Sequence, residues 1–126
     1  MGVVSVLLAD DHAVSRGSVR ADLEESGYSI CAEVGDADAA VAAALSEHPD
    51  IALLDVRMPG DGIEAARLIH AQLPDTRVVM LTVSRDDDDV RAAVAAGAVG
   101  YLLKDADAEV LARALEAVVA GGVVLP

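Results

Sequence analysis

Residues 51–55 read Ile51-Ala52-Leu53-Leu54-Asp55, an uninterrupted apolar run that ends on a carboxylate. A strand buried on both faces of a parallel sheet shows such a continuous run, whereas a strand with one wet face alternates apolar and polar residues. Similar apolar and β-branched runs occur before and after it, at Val3–Ala9, Tyr28–Val34, Arg77–Leu81 and Val99–Leu103. The five runs predict five buried strands.

The stretches between these runs are long enough for helices, and their ends carry helix boundary residues. Asp36 can cap an alanine-rich stretch that continues to His48. In the last unit Asp107 is the predicted N-cap of a helix from Ala108 to Ala120, which Gly121-Gly122 ends. Regular alternation of strand and helix predicts an α/β fold, a doubly wound five-stranded parallel sheet with five helices on its two faces.

The composition limits the class of function. The chain has 126 residues, of which 54% are hydrophobic and 25% charged, as expected for one globular domain. Its formal net charge of -13 argues against direct binding to nucleic acid or to an anionic membrane, because phosphate neutralisation needs clustered Lys and Arg. Cys31 is the single cysteine, which excludes an intramolecular disulfide and fits a reducing cytoplasm. No apolar run is long enough to predict a membrane span.

Polar residues follow four of the five predicted strands. The first strand ends in Asp10-Asp11, the third in Asp55, the fourth in Thr82 and the fifth in Lys104, the only lysine of the chain. Ligands of open parallel sheets bind at the carboxyl ends of the strands, so these side chains are expected to lie close together. Clustered carboxylates suit Mg²⁺, while a hydroxyl and an ammonium suit phosphoryl oxygens. The pattern predicts phosphoryl transfer with Asp55 as the nucleophile.

With these residues in place, the chain resembles the receiver domains of bacterial response regulators, most closely those of the NarL/FixJ type. The resemblance covers nearly the whole chain and implies the flavodoxin-like strand order 2-1-3-4-5, with residues 1–120 forming the receiver (phosphoacceptor) domain. It rests on four segments that occur in the family's order: Leu8-Ala9-Asp10-Asp11-His12, Leu53-Leu54-Asp55-Val56-Arg57-Met58-Pro59-Gly60, Leu81-Thr82-Val83-Ser84 and Ala96-Gly97-Ala98-Val99-Gly100-Tyr101-Leu102-Leu103-Lys104-Asp105.

The resemblance implies that Asp55 accepts a phosphoryl group from a phosphohistidine of a sensor histidine kinase. Asp11 and Asp55 would ligate Mg²⁺ directly, with Asp10 in the outer shell and the backbone carbonyl of Arg57 as a further ligand. The only chemistry expected of the domain is Mg²⁺-dependent self-phosphorylation and autodephosphorylation. The family resemblance therefore predicts a signalling domain of the bacterial cytoplasm rather than an enzyme with turnover.

The resemblance also implies how a signal would leave the site. Thr82 and Lys104 would bind the phosphoryl oxygens, and Thr82 and Tyr101 would act as the switch, with the ring of Tyr101 turning inward behind the Thr82 hydroxyl. Residues 121–126 are expected to begin a linker to a helix-turn-helix domain, through which alone the protein would contact DNA. Homodimerisation on phosphorylation is expected as well.

One stretch departs from the family pattern. After Met58-Pro59-Gly60 the family has one more residue before Asp-Gly, whereas here Gly60 is followed directly by Asp61-Gly62. The shorter loop is expected to weaken Mg²⁺ binding or to change the phosphoryl lifetime, and it supports an alternative reading, a pseudo-receiver that binds partners without phosphorylation. A third reading is an Mg²⁺-dependent phosphatase; many such enzymes have a second acid two residues after the nucleophile, where this chain has Arg57.

Two other groups of residues invite a metal-binding interpretation that the spacing does not favour. Asp86-Asp87-Asp88-Asp89 is expected to be a solvated loop and helix start, since acids at helix N-termini are favoured by the dipole. His12, His48 and His70 are expected on different helices and lack the spacing of metal ligands.

Overall fold

The structure, a computed structural model, describes residues 2–126, and strands alternate with helices along them. The strands of this part of the chain are β1 (Ser5–Ala9), β2 (Ser29–Val34), β3 (Ile51–Leu54), β4 (Arg77–Thr82) and β5 (Gly100–Leu103). The helices are α1 (Ala13–Glu25), α2 (Ala37–Glu47), α3 (Gly62–Gln72), α4 (Asp87–Ala95) and α5 (Ala108–Val119). None of these helices has the length and apolar character needed to cross a bilayer.

The five strands form one parallel sheet in the order β2-β1-β3-β4-β5. This order and the strand–helix alternation confirm the predicted doubly wound fold. In the register of the central strands, Leu8 of β1 lies beside Leu53 of β3, which in turn lies beside Val79 of β4. Since all strands run the same way, the residues that follow each strand meet at one edge of the sheet.

The sheet separates two apolar cores, one on each face. Leu7, Leu54 and Met80 point to the face covered by α2, α3 and α4. Leu8 and Leu53, their neighbours in sequence, point to the opposite face, where α1 and α5 pack. Alternate side chains of a strand point to opposite faces, so a strand between two helical layers must be apolar at every position. This is why the apolar run Ile51–Leu54, which forms β3, has no polar interruption.

The predicted helix boundaries agree closely with the structure. The carboxylate of Asp36 caps α2 by accepting a hydrogen bond of 2.8 Å from the Ala39 N–H, and Asp107 caps α5 in the same way. Helix α5 ends at Val119, one residue before the predicted end at Ala120. The N–H groups of Gly121 and Gly122 bond back to the last turn of α5, and Gly121 adopts a φ of 95°, which closes the helix.

The C-terminal residues remain attached to the sheet at Val124. Its N–H donates to the Val99 carbonyl over 2.8 Å, and its carbonyl accepts from the Tyr101 N–H over 2.9 Å, in a parallel bridge at the outer edge of β5. The Val124 side chain also packs against the core beneath α1 and α5. The segment 121–126 therefore covers part of the edge strand, and its continuation into a further domain stays a prediction.

Candidate functional site

The predicted site residues lie at the carboxyl edge of the sheet. Asp10 follows β1, Asp55 follows β3, Thr82 is the last residue of β4, and Lys104 follows β5. Two backbone hydrogen bonds continue the pairing of the strands beyond their ends. The Asp55 N–H donates to the Ala9 carbonyl and the Lys104 N–H donates to the Thr82 carbonyl, each over 2.9 Å. These two hydrogen bonds fix the backbone of Asp55 and Lys104 to the sheet.

Lys104 joins two of the buried carboxylates. Its Nζ lies 2.7 Å from Oδ2 of Asp10 and 2.8 Å from Oδ2 of Asp55, and both aspartates are about 3% exposed. Buried like charges in close contact repel each other strongly unless a counter-charge is present. Lys104 supplies that counter-charge.

Hydrogen bonding outweighs the effect of burial on the pKa values of Asp10 and Lys104. Burial by itself raises the pKa of Asp10, but the hydrogen bonds from Lys104 and from the His12 N–H outweigh it, so the pKa lies below its usual value. Burial by itself lowers the pKa of Lys104, but its hydrogen bonds to Asp10 and Asp55 outweigh it, so this pKa is raised. Asp10 and Lys104 thus stabilise each other's charged form.

Asp10, Asp11, His12 and Asp55 each offer a ligand atom, and these atoms lie within 4.8 Å of one another. Asp11 is the carboxylate open to solvent, with a side chain 33% exposed. Three carboxylates form the kind of hard oxygen donor set that suits a divalent cation such as Mg²⁺. The clustering agrees with the sequence prediction for the three aspartates.

His12 joins this cluster, although the spacing of the histidines did not favour metal binding by them. Its Nδ1 lies 3.2 Å from Oδ1 of Asp11 and 3.5 Å from Oδ1 of Asp10, because His12 is the N-cap residue of α1 and not a residue within that helix. Spacing between the three histidines carries no information about this contact. The adjacency of His12 to Asp11 in sequence was the only available signal.

The loop after Asp55 is tightly wound. Gly60 and Asp61 both have positive φ, at 86° and 74°, and Asp61 is one of two non-glycine residues in this region of backbone space within the described chain. At Gly62 a Cβ atom would lie 1.8 Å from the carbonyl oxygen of Asp55. The short loop thus depends on glycine at Gly62 and on an unusual backbone at Asp61.

Arg57 contributes its backbone to one side of the site and its side chain to another. Its N–H donates to Oδ1 of Asp55 over 3.1 Å, while its guanidinium pairs with Asp89 at 2.6 Å. Asp89 also accepts from the Ser84 hydroxyl, and its side chain is only 16% exposed. The expectation of a solvated acidic run is therefore wrong for Asp89, because Arg57, in the loop after Asp55, places its guanidinium against the first turn of α4. The predicted metal contact of the Arg57 carbonyl stays a prediction.

Ser84 connects the two predicted switch residues. Thr82 is fully buried, and its Oγ1 accepts from the Ser84 N–H over 3.2 Å. The Tyr101 hydroxyl donates to the Ser84 carbonyl over 3.0 Å, and Tyr101 is 3% exposed. The tyrosine ring therefore lies inward, and a change at Thr82 has a short hydrogen-bonded route to Tyr101.

Comparison with known proteins agrees with this arrangement. A family model described as the response regulator receiver domain matches residues 6–116. The DNA-binding transcriptional activator DevR/DosR of Mycobacterium tuberculosis is 40% identical over 121 residues, or 94% of this chain and 56% of that protein. The nitrate/nitrite response regulator protein NarP of Escherichia coli is 40% identical over 114 residues, or 89% of this chain and 53% of NarP. The chain thus spans little more than half the length of these relatives.

Solved structures show the same fold along nearly the whole chain. A signal receiver domain described as that of the response regulator NarL from Mycobacterium tuberculosis has a TM-score of 0.91 and 32% identity, over 96% of this chain and 99% of that one. A two-component response regulator of the LuxR family from Aurantimonas has a TM-score of 0.90 and 33% identity, over 98% of this chain and 90% of that one. The chain belongs to the response regulator receiver domain family, in the branch that contains NarL, NarP and DevR/DosR.

Proposed function

We propose that this domain is a phosphorylation-controlled switch in which Asp55 accepts a phosphoryl group. The observation that carries the proposal is the contact of Lys104 with both Asp10 and Asp55 beside the exposed Asp11. A nucleophilic carboxylate, a fixed cation and a hard-ligand cluster are the parts that phosphoryl transfer to aspartate requires. Receiver domains are not conventional enzymes, and the output proposed here is a change of shape.

The metal site proposed here uses carboxylates that already lie together. Asp11 and Asp55 would hold Mg²⁺ directly, Asp10 would support it from the outer shell, and the Arg57 carbonyl would complete the protein ligands. Bound Mg²⁺ would screen the negative charges of the phosphoryl group and of Asp55 as they approach. The three carboxylates fit this cation because they supply oxygen ligands and excess negative charge.

In the proposed reaction a carboxylate oxygen of Asp55 attacks the phosphorus atom of a phosphohistidine on a sensor histidine kinase. The new O–P bond forms as the P–N bond breaks, and the imidazole nitrogen keeps the electron pair and takes up a proton. Lys104 and the Thr82 hydroxyl would then bind phosphoryl oxygens, where charge accumulates. Lys104 would exchange a carboxylate for a phosphoryl oxygen without losing an anionic partner.

Thr82 and Tyr101 would transmit this change away from the site. Movement of the Thr82 hydroxyl toward the phosphoryl group would break its bond with the Ser84 N–H, and the Ser84 carbonyl would shift with it. Tyr101 already lies inward and bonds to that carbonyl, so the response proposed here is a change in this hydrogen bond and in the surrounding face of α4 and β5, not an inward turn of the ring. This altered face would favour homodimerisation.

The proposed partners follow from this role. A sensor histidine kinase would supply the phosphoryl group in the bacterial cytoplasm, and DNA would be bound through a C-terminal domain outside this chain. One relative of the chain is named a transcriptional regulatory protein and another a DNA-binding transcriptional activator, and the chain spans little more than half the length of each. A formal net charge of -13 is consistent with DNA contact through another domain only.

Intact mass measurement with phosphoramidate as donor tests the proposal. Wild-type protein with Mg²⁺ is expected to gain one phosphoryl adduct, and Asp55→Asn is expected to gain none. Asp105→Asn is the matched control, because Asp105 follows Lys104 directly but is 68% exposed and pairs with Arg85. Absence of an adduct at any Mg²⁺ concentration would contradict the proposal and favour the phosphorylation-independent alternative, which the tight loop at Gly60–Gly62 supports.

A further inference from the structure

Arg16, the fourth residue of α1, reaches back to Asp10, the residue that follows β1. Its Nη1 donates a hydrogen bond of 2.7 Å to the backbone carbonyl of Asp10. Its Nε donates to Oε1 of Glu33 on β2 over 3.1 Å, and both side chains are about one quarter exposed. The guanidinium thus binds the Glu33 carboxylate through Nε and the Asp10 carbonyl through Nη1.

We propose that Arg16 is a positioning residue that orients Asp11 for metal binding, an inference that rests on the proposed function. The carbonyl of Asp10 and the N–H of Asp11 belong to one planar peptide unit. Fixing the carbonyl direction therefore fixes where the Asp11 backbone begins, and with it the direction in which the Asp11 carboxylate leaves the chain. Glu33 keeps the guanidinium in the orientation that this contact needs.

The backbone groups of Asp10 have different partners. The N–H bonds to the sheet, and the carbonyl bonds to Arg16. The Asp10 N–H is bound by the Val34 carbonyl over 3.0 Å, which continues the pairing of β1 with β2. Beyond Asp10 the chain leaves the sheet, and α1 begins at Ala13. The Asp10 side chain accepts from the His12 N–H. Among residues 2–126, the hydrogen bond that reaches the Asp10 carbonyl is the one from Arg16.

The charge of Arg16 and its proposed role in orienting Asp11 predict opposite effects on metal binding when Arg16 is removed. A guanidinium near a cation site repels a divalent ion, so simple charge removal would strengthen metal binding. Loss of orientation would instead leave Asp11 free to adopt other directions, and the entropy of ordering it would weaken metal binding. The sign of the change therefore separates the two roles.

Arg20 provides a matched control one turn further along α1. Arg20 also pairs with Glu33, and it donates a hydrogen bond to Glu24. The hydrogen bond to the Asp10 carbonyl comes from Arg16. Arg20→Met removes the same charge and a contact with the same carboxylate while the Asp10 contact remains. Arg16→Lys retains a charge and one donor toward the carbonyl but loses the fork that spans both partners.

Binding of Mn²⁺, followed by electron paramagnetic resonance of the free ion, measures the effect directly on the 126-residue chain. We expect Arg16→Met to raise the dissociation constant roughly tenfold, Arg16→Lys to restore part of it, and Arg20→Met to change it less than about twofold. The backbone amide resonance of Asp11 is expected to move in Arg16→Met and not in Arg20→Met. Thermal unfolding confirms that each variant is folded at the titration temperature.

Unchanged or tighter Mn²⁺ binding by folded Arg16→Met, beside wild-type protein that binds the ion, would overturn this inference and leave the proposed function intact. Equal weakening by Arg20→Met would overturn it too, because the Glu33 network alone would then account for the effect. Wild-type protein that binds no Mn²⁺ would overturn the proposed function and this inference together.

Discussion

The ammonium of Lys104 lies 2.7 Å from Oδ2 of Asp10 and links it to Asp55 at 2.8 Å. β4 lies between the strands that precede Lys104 and Asp55, so the contact crosses it at the edge of the sheet. Asp10 and Asp55 are buried, and the lysine side chain is only 11% exposed. The phosphoacceptor proposed above is therefore part of a buried ion pair, so that removal of the lysine would leave buried charge without a counter-charge.

Replacing Lys104 by methionine is expected to lower the free energy of unfolding at neutral pH by about 3 kcal/mol, because it leaves two buried carboxylates without a counter-charge. Urea unfolding measures this change. Arg91→Met, which removes a cation from an exposed pair with Asp88, is the control and should change stability by less than about 0.5 kcal/mol. Adding Asp55→Asn to the Lys104 variant should recover part of the loss, and equal effects of Lys104→Met and Arg91→Met would contradict the prediction.

The lowered pKa of Asp10 predicts a loss of stability in acid. An acid whose pKa is lower in the folded protein stabilises the fold above its usual pKa of 3.8, and this contribution disappears as the pH falls through the lower folded value. The raised pKa of Lys104 predicts the reverse at high pH, with stability present below 10.5 and lost as the pH rises through the higher folded value. Urea unfolding over both pH ranges, with Asp10→Asn as comparison, measures both contributions.

In that comparison Asp10→Asn should flatten the acid part of the profile, since the substituted residue no longer titrates. The remaining fall in stability would come from other carboxylates. A profile in which Asp10→Asn loses stability below about pH 4 as steeply as the wild type would contradict the assignment to Asp10.

Gly62→Ala is expected to destabilise the domain by about 3 kcal/mol or more, because the added Cβ would meet the carbonyl oxygen of Asp55 at 1.8 Å. Gly17→Ala is the matched control, since Gly17 lies within α1 and a Cβ there meets nothing within 4 Å. Alanine in that helix should raise stability by about 0.5 to 1 kcal/mol. Chemical unfolding of both variants measures the two changes, and a neutral Gly62→Ala would show that the loop can relax.

Removal of residues 123–126 is expected to lower stability by about 1 to 2 kcal/mol, since it deletes the two backbone hydrogen bonds that Val124 makes with Val99 and Tyr101. Hydrogen exchange locates the effect. The Tyr101 amide should exchange faster after truncation, while the Lys104 amide, which donates to the Thr82 carbonyl, should keep its protection. Unchanged exchange at Tyr101 would show that Val124 does not hold this edge in solution.

Much of the fold followed from local pattern. Continuous apolar runs such as Ile51–Leu54 predicted strands buried on both faces, and the helix caps at Asp36 and Asp107 were read correctly because capping depends on a few neighbouring residues. The clustering of Asp10, Asp11 and Asp55 was also predictable, since parallel strands bring their carboxyl ends to one edge. Residue type and distance along the chain were sufficient for these conclusions.

What the sequence by itself determined is therefore the set of strands, the N-caps of α2 and α5 and the edge at which its acidic residues meet. Only the tertiary structure decided which groups touch: Lys104 with two carboxylates, Arg16 with the Asp10 carbonyl, Arg57 with Asp89, and Val124 with β5. Each contact joins residues from different elements, and its geometry depends on how those elements pack. Local periodicity indicates whether a residue is buried. Which residue it contacts in another element depends on how the whole backbone folds.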